Sequence, residues 1–154
     1  MTDSGKTVRE LTIRKAAAAD FGQLVALFRE FSKFEHKERF MTNSEERMLR
    51  EQDAFNALAA VDGEGRIVGY AAYFFCYFTW SGKALYMDDL YVCPDYRGCG
   101  LGRELTRRLI DMARAEGCHK MRWQVAEWNA PAIEFYKKLG AEIDTVNQNC
   151  DLVF

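Results

Sequence analysis

The 154-residue sequence contains little of what metal-binding, disulfide-rich and membrane-spanning proteins require. It has two histidines, and its five cysteines form no CxxC pair, so we expect no metal site and no disulfide framework. Free thiols are typical of a reducing cytoplasm, where we expect the protein to reside. The longest apolar runs, such as residues 70–78, are far shorter than the roughly 20 residues of a membrane helix, and the polar N-terminus has no signal-peptide core.

An excess of either charge is also lacking, because 21 Lys and Arg residues stand against 23 Asp and Glu residues for a net charge of −2. This balance argues against non-specific electrostatic binding to nucleic acid, so we expect neither a nucleic-acid partner nor a membrane partner. No internal repeat, low-complexity tract or linker is visible. Length and composition predict a single domain over residues 1–154, with a flexible polar tail at 1–9.

Hydrophobic periodicity predicts an α+β domain with the element order β-α-α-β-β-β-α-β-α-β. Asp20 and Gln23 have the spacing of a capping box, which predicts the start of the first helix. Asn129 is expected to cap the last helix. The strands are predicted at 11–14, 55–61, 66–77, 84–92, 120–125 and within 143–154, and the helices at 21–34, 42–52, 102–116 and 130–139. The strands between 55 and 92 are expected to form an antiparallel meander.

Three glycines, Gly98, Gly100 and Gly102, lie between a predicted strand and a predicted helix. Glycine lets the backbone approach a ligand closely and turn successive amides toward it, and the following helix adds the positive end of its dipole. The stretch therefore predicts a site for a phosphate or pyrophosphate, with a turn that only directs the chain as the alternative. The spacing is neither that of a Walker loop nor that of the dinucleotide pattern G-x-G-x-x-G.

The pattern Arg97-x-x-Gly100-x-Gly102 resembles the acyl-CoA pyrophosphate motif of the GNAT superfamily of N-acetyltransferases, and the element order matches that superfamily over nearly the whole chain. Segments 85–92 (LYMDDLYV) and 125–137 (VAEWNAPAIEFYK) resemble its diamine (spermidine/spermine) and thialysine acetyltransferase branch. The resemblance implies a central, twisted, mostly antiparallel sheet flanked by helices. It also implies a V-shaped splay between two strands that holds acetyl-CoA.

The same resemblance implies which residues hold acetyl-CoA as the acyl donor. The strand before the glycine loop and the start of the last helix would contact the pantetheine, and the loop would cradle the pyrophosphate. These residues are Leu90, Tyr91, Val92, Arg97, Gly98, Cys99, Gly100, Leu101, Gly102, Arg103, Asn129, Pro131 and Tyr136. A plain N-cap is the alternative role of Asn129, and blocking the thiol of Cys99 is expected to hinder CoA binding.

Acetyl transfer requires an unprotonated amine nitrogen, yet a lysine-like amine with a pKa of about 10.4 is protonated at pH 7. A carboxylate can accept that proton directly or through water, and the resemblance assigns this role to Asp88. It assigns to Tyr136 the role of the acid that protonates the departing thiolate, with a purely packing role as the alternative. Asp88 and Asp89 are adjacent in a strand, so they face opposite sides of the sheet unless a bulge intervenes.

Glu35, Trp80, Asp88 and Asp89 are expected to contact the amine; a solvated helix end and a loop anchor are the alternatives for Glu35 and Trp80. The branch usually has an acidic-Gly-Trp segment after the tyrosine helix, whereas residues 145–151 read TVNQNCD, which favours a shorter or less cationic amine. We expect an acetyl-CoA-dependent N-acetyltransferase for a small primary amine, assembled as a homodimer. The alternatives are a protein amine or aminoglycoside as acceptor, and an acyl-CoA sensor without turnover.

Overall fold

The computed structural model describes residues 7–154, and within them five strands form one mixed sheet in the order β1-β2-β3-β4-β5. The chain divides into two compact units, one ending at Gln124 and one spanning Val125–Phe154. The first unit contains β1 Thr12–Lys15, α1 Phe21–Phe34, α2 Glu45–Arg50, β2 Asn56–Val61, β3 Ile67–Phe78, β4 Gly82–Val92, α3 Leu101–Ala115 and β5 Lys120–Arg122, and the second contains α4 Ala130–Lys138. The predicted α+β class and the antiparallel meander are confirmed.

Strands β1 to β4 pair antiparallel, and β5 runs parallel to β4. The β4–β5 ladder joins Ala84–Tyr86 to Lys120–Arg122 and stops there, so β5 is shorter than the predicted strand at 120–125. Past Tyr86, residues 87–92 of β4 therefore pair on one side with β3 and have no strand on the other side within the described chain. The ladder thus ends in the part of β4 where the family resemblance places the splay.

The pairing of β3 with β4 contains one extra residue. Ala72 lies opposite Asp89 and Tyr73 lies opposite Met87, so Asp88 has no partner in β3. An extra residue of this kind is a β-bulge, which bends its strand and breaks the alternation of side chains between the two faces. The bulge thus lies in the part of β4 where pairing with β5 has already ended.

Helices cover both faces of the sheet in the first unit. On one face, Phe21, Leu24 and Val25 of α1 form a buried cluster with Tyr70 and Tyr91 of the sheet. On the other face, Leu101, Leu105 and Leu109 of α3 are buried. Gly69 of β3 makes room for this helix, because a Cβ there would lie 3.0 Å from Leu101 Cδ2. No helix within residues 7–154 is long and apolar enough to span a membrane.

The predicted capping box at the start of α1 is wrong. The Asp20 carboxylate instead accepts hydrogen bonds from the Ala17 amide at 2.7 Å and from the Arg14 guanidinium at 2.7 and 2.9 Å, which joins β1 to the helix entrance. Gln23 does not reach back either, because its side chain bonds both Gly65 O and the Ile67 amide in the turn between β2 and β3. A tertiary partner has replaced the local one in both cases.

The last predicted strand, within 143–154, is also absent from the described structure. Asp144 instead accepts hydrogen bonds from the Val146 amide and the Asn147 side chain, a local pattern that competes with strand pairing. The second helix begins at Glu45, three residues after the predicted start at Thr42, and Ser44 is its N-cap. Of the predicted flexible tail, residues 1–6 lie outside the described residues, and Val8–Glu10 form a short 3₁₀ turn.

Candidate active site

The glycine loop leads directly into α3 with two residues in the left-handed region. Gly98 has φ 78° and Gly100 has φ 90°, a backbone conformation that L side chains rarely adopt, and a Cβ at either position would meet no atom within 4 Å. Gly100 is the N-cap residue of α3 and has no side chain with which to cap it. The glycines therefore create an open helix entrance.

Backbone amides of residues 98–103 have no hydrogen-bond acceptor within the described part of the chain. Unsatisfied amides at a helix N-terminus carry partial positive charge, which favours an anion. The open space around the loop and this run of amides fit the pyrophosphate of an acyl-CoA. Arg103 is exposed in the first turn of the helix.

Arg97 connects the glycine loop to β4 and α1. Its Nε donates a hydrogen bond of 2.8 Å to Val92 O, and its guanidinium lies 5.1 Å from the Phe34 ring centroid and 5.5 Å from that of Tyr91. Two further contacts fasten the same loop: Tyr96 Oη donates to Asp62 Oδ2 at 3.3 Å, and Cys99 Sγ donates to Tyr96 O at 2.9 Å. The loop is thus held by its own side chains and by the turn after β2.

The free edge of β4 offers backbone groups next to this loop. Val92 O points away from β3, since it accepts the hydrogen bond from Arg97, whereas the Cys93 amide donates to Val68 O on the β3 side. Backbone groups alternate in direction along an antiparallel strand, so the amides of Leu90 and Val92 share the free edge. Tyr91 differs: its side chain is buried and its hydroxyl donates to Glu30 Oε2 at 3.2 Å.

The bulge brings the two adjacent aspartates to one face of the sheet. Asp89 lies opposite Ala72 and Tyr86 lies opposite Phe74, so both side chains are on the α1 face. Met87 lies opposite Tyr73, whose side chain is on the other face, so Asp88, the next residue, turns toward the α1 face as Asp89 does. The bulge therefore overrides the alternation that would place Asp88 and Asp89 on opposite faces. Both carboxylates are available to one ligand.

Burial raises the pKa of both carboxyls. Desolvation, followed by the charge of Asp88, raises the pKa of Asp89 to about 7. Desolvation also raises the pKa of Asp88, although its side chain is exposed at the free edge. The charge of Glu35 raises the pKa of Asp89 further, while Lys37, 3.9 Å from Glu35, lowers it. Glu35, Asp88 and Asp89 thus form an acidic cluster.

Within one chain, Trp80 lies far from the acidic cluster along β4. It is fully exposed in the turn between β3 and β4. β4 begins two residues later at Gly82, and the six residues from there to Asp88 correspond to about 20 Å of strand.

The remaining predicted residues belong to the second unit. Asn129 is the N-cap of α4, because its Oδ1 accepts a hydrogen bond of 3.3 Å from the Ala132 amide. Pro131 is in the first helical turn, where its missing N–H costs nothing. Tyr136 is buried, with 7% of its surface exposed.

Sequence reasoning missed Tyr70, Lys37 and the pair Asp62–Tyr96. Tyr70 is fully buried on the α1 face, and its hydroxyl lies 3.5 Å from Asp89 Oδ2. No local motif marks it, because its partner is 19 positions away and the intervening bulge shifts the register. The only available signal was the run of aromatic residues along β3.

Comparison with known proteins gives a consistent family. The acetyltransferase (GNAT) family matches residues 21–141. The thialysine N-epsilon-acetyltransferase of Mus musculus is 36% identical over 141 residues, which cover 84% of this chain and 83% of that protein. The spermidine/spermine N(1)-acetyltransferase-like protein 1 of Homo sapiens is 34% identical over 139 residues, covering 84% of this chain and 20% of that protein.

A solved structure supports the fold as well. The crystal structure of a Trypanosoma brucei acetyltransferase superposes with a TM-score of 0.75 at 26% identity, covering 92% of this chain and 99% of that one. The mixed sheet flanked by helices is therefore the architecture that the sequence resemblance implied.

Proposed function

The chain belongs to the GNAT acetyltransferase family and is an acetyl-CoA-dependent N-acetyltransferase, and we propose that its acceptor is the primary amine of a small molecule of the diamine, polyamine or thialysine kind. The observation that carries this proposal is the acidic cluster of Glu35, Asp88 and Asp89 on one face of β4. An ammonium group is attracted to such carboxylates. The names of the relatives at about 35% identity point to the same class of acceptor.

Acetyl-CoA would be held along the free edge of β4 and by the glycine loop. The amides of Leu90 and Val92 would contact the pantetheine, and those of residues 98–103 the pyrophosphate. The family resemblance assigns pantetheine contacts to Asn129 and Pro131 as well. When bound, acetyl-CoA supplies the thioester carbonyl that the amine nitrogen attacks.

Asp88 would serve as the general base. Its carboxylate is exposed at the free edge, while Asp89 beside it is more buried, and burial raises the pKa of Asp89 to about 7. Asp88 would accept the proton of the ammonium at Oδ, directly or through one water, and pass it to solvent. Tyr136 would donate its phenolic proton from Oη to the departing thiolate, since a phenol with an ordinary pKa near 10 can protonate a thiolate.

A homodimer in the cytoplasm is part of the proposal. Phe74, Phe75, Tyr77 and Trp80 at the far end of the β3–β4 hairpin are exposed by 42%, 40%, 76% and 100%. Exposed aromatic surface of this kind is typical of protein–protein contacts. The five free cysteines agree with a reducing compartment.

A CoA-release assay tests the acceptor. The purified chain is incubated with acetyl-CoA and, in turn, with thialysine, lysine, putrescine, spermidine, an aminoglycoside and a lysine-containing peptide. We expect the highest kcat/KM for one of the small amines. A higher value for the aminoglycoside or the peptide would support the alternative acceptors. Binding of acetyl-CoA without release with any amine would support a sensor.

Asp88→Asn tests the base. We expect kcat to fall by about 100-fold or more near neutral pH, because a general base contributes roughly 10²–10⁴-fold. The loss should shrink as the pH approaches the pKa of the amine, where no base is needed. Asp88→Glu, which keeps the carboxylate, should retain much of the activity, and Asp53→Asn at an exposed turn should retain all of it. An equal loss at every pH would instead mean that Asp88 only positions the amine.

A further inference from the structure

Tyr70 is the most deeply buried ionisable group next to the acidic cluster. Its side chain has no exposed surface, and its ring lies 5.1 Å from that of Phe28 in α1 and 6.2 Å from that of Tyr91. Its hydroxyl lies 3.5 Å from Asp89 Oδ2, a long contact that a small movement of either side chain would tighten. The aromatic packing thus points a phenol at one of the two aspartates.

Within residues 7–154, Tyr70 is the side chain that hydrogen-bonds Asp89. The charged groups around Asp89 are Asp88, its neighbour on β4, and Glu35 and Lys37 in the segment after α1. Glu30 of α1 is engaged with the Tyr91 hydroxyl instead. Asp89 is therefore surrounded by two acids and one cation, with Tyr70 as its neutral donor.

We propose that Tyr70 is a positioning residue for acetyl transfer: its hydroxyl orients the Asp89 carboxylate and so decides which of the two adjacent carboxyls, Asp88 or Asp89, carries a proton when the amine binds. This inference rests on the proposed function, because it assigns roles within the same amine site. No bond is formed or broken by Tyr70. The ammonium proton moves to Asp88, and Tyr70 keeps its own proton in the hydrogen bond to Asp89.

The physical reason is the competition between two neighbouring like charges. Adjacent carboxylates do not both ionise easily, so a group that favours the ionised form of one changes the state of the pair. The hydroxyl of Tyr70 donates to ionised Asp89 and lowers its pKa, against the desolvation that raises it. Loss of the hydroxyl would leave Asp89 protonated to a higher pH. The site would then have less negative charge for the ammonium at neutral pH.

Tyr70→Phe removes the hydroxyl and keeps the ring that packs on Phe28. We expect the acidic limb of the pH profile of kcat/KM for the amine to move up by about half a pH unit, the effect of a modest hydrogen bond to one charge state. Tyr73→Phe is the matched control, because Tyr73 is a buried tyrosine of the same strand whose side chain points to the opposite face. Its profile should coincide with that of the wild type.

The double variant provides the decisive comparison. In an Asp89→Asn background, Tyr70→Phe should not move the acidic limb any further. An unchanged profile in Tyr70→Phe, an equal shift in Tyr73→Phe, or a shift that persists without Asp89 would each overturn the inference. Thermal unfolding of each variant shows whether it is folded.

A measurement on the wild-type protein separates this inference from the proposed function. Ionisation of Asp89 next to a tyrosine hydroxyl should perturb the near-ultraviolet absorbance of tyrosine near pH 7, and Asp89→Asn should abolish that step. This titration requires neither an amine nor acetyl-CoA. Its absence would overturn the role of Tyr70 even if Tyr70→Phe did not fold. A protein that shows the step but acetylates no amine would refute the proposed function alone.

Discussion

Asp88, the residue of β4 that has no partner in β3, determines what the acidic cluster can do. In a regular strand it would face away from Asp89, and each carboxylate would meet a different environment. The bulge brings them to the same face, where the charge of Asp88 helps to raise the pKa of Asp89 to about 7. A single extra residue thus places two carboxyls next to each other on one face of the sheet.

The hydroxyl of Tyr136 is the proposed general acid for the departing thiolate. Tyr136→Phe should lower kcat by about 100-fold or more if its hydroxyl is the general acid, since Phe keeps the ring but has no proton to donate. The Kd for acetyl-CoA, measured by calorimetry, should change little.

Tyr77→Phe removes a hydroxyl from a tyrosine that is 76% exposed and serves as the control. It should leave kcat unchanged. A Tyr136→Phe enzyme with normal kcat would show that Tyr136 has only a packing role.

Among the elements, α3 shows how local sequence builds a ligand site. Its buried stripe, Leu101, Leu105 and Leu109, anchors it to the sheet, while Gly98 and Gly100 leave its entrance uncapped. A serine or aspartate at position 100 would satisfy one of the amides with its own side chain. The glycines therefore keep the amides available at some cost in helix stability.

Two alanine substitutions in the glycine loop should distinguish an effect on folding stability from an effect on acetyl-CoA binding. Gly100→Ala should destabilise the protein by about 1–2 kcal/mol, because φ is 90° there. Gly102→Ala should not, because its Cβ would lie at an ordinary 3.8 Å from Val92 Cγ2 and alanine is a better helix former. Chemical denaturation measures both effects.

Acetyl-CoA binding completes this comparison. If the pyrophosphate approaches the backbone at Gly102, the methyl group of Gly102→Ala should weaken acetyl-CoA binding by roughly tenfold, about 1.4 kcal/mol, without loss of stability. Unchanged affinity in Gly102→Ala would mean that the cofactor does not come close at this position.

For the molecule as a whole, the exposed end of the β3–β4 hairpin predicts self-association. Trp80→Ser combined with Tyr77→Ser removes two large exposed rings without touching the core. We expect the wild-type protein to sediment as a dimer and the double variant to sediment as a monomer at the same concentration, because apolar contact area drives association.

Phe40→Ser is the matched control, since Phe40 is also an exposed aromatic, at 63%, but lies outside the hairpin. It should remain a dimer. Dimers of unchanged stability in the Trp80 and Tyr77 double variant would show that the hairpin is not the contact, and a monomeric wild-type protein would refute the homodimer itself.

Several features followed from the sequence alone because they depend on neighbours along the chain. The meander and the cap at Asn129 both arise from local periodicity and backbone preference. The predictions that were wrong concern side chains whose partners belong to other elements of the fold. Asp20 and Gln23 carry a helix-start pattern, but Arg14 and the turn after β2 offered them better partners.

Tertiary structure alone decided the chemistry around Asp89. Strand alternation can be read from the sequence, but the bulge that overrides it appears only when β3 and β4 are paired. Tyr70 meets Asp89 across 19 positions, and Tyr96 meets Asp62 across 34. The physical reason is that desolvation and charge repulsion depend on what surrounds a group in space. The sequence therefore determined which acids were present, and the packed sheet determined how they ionise.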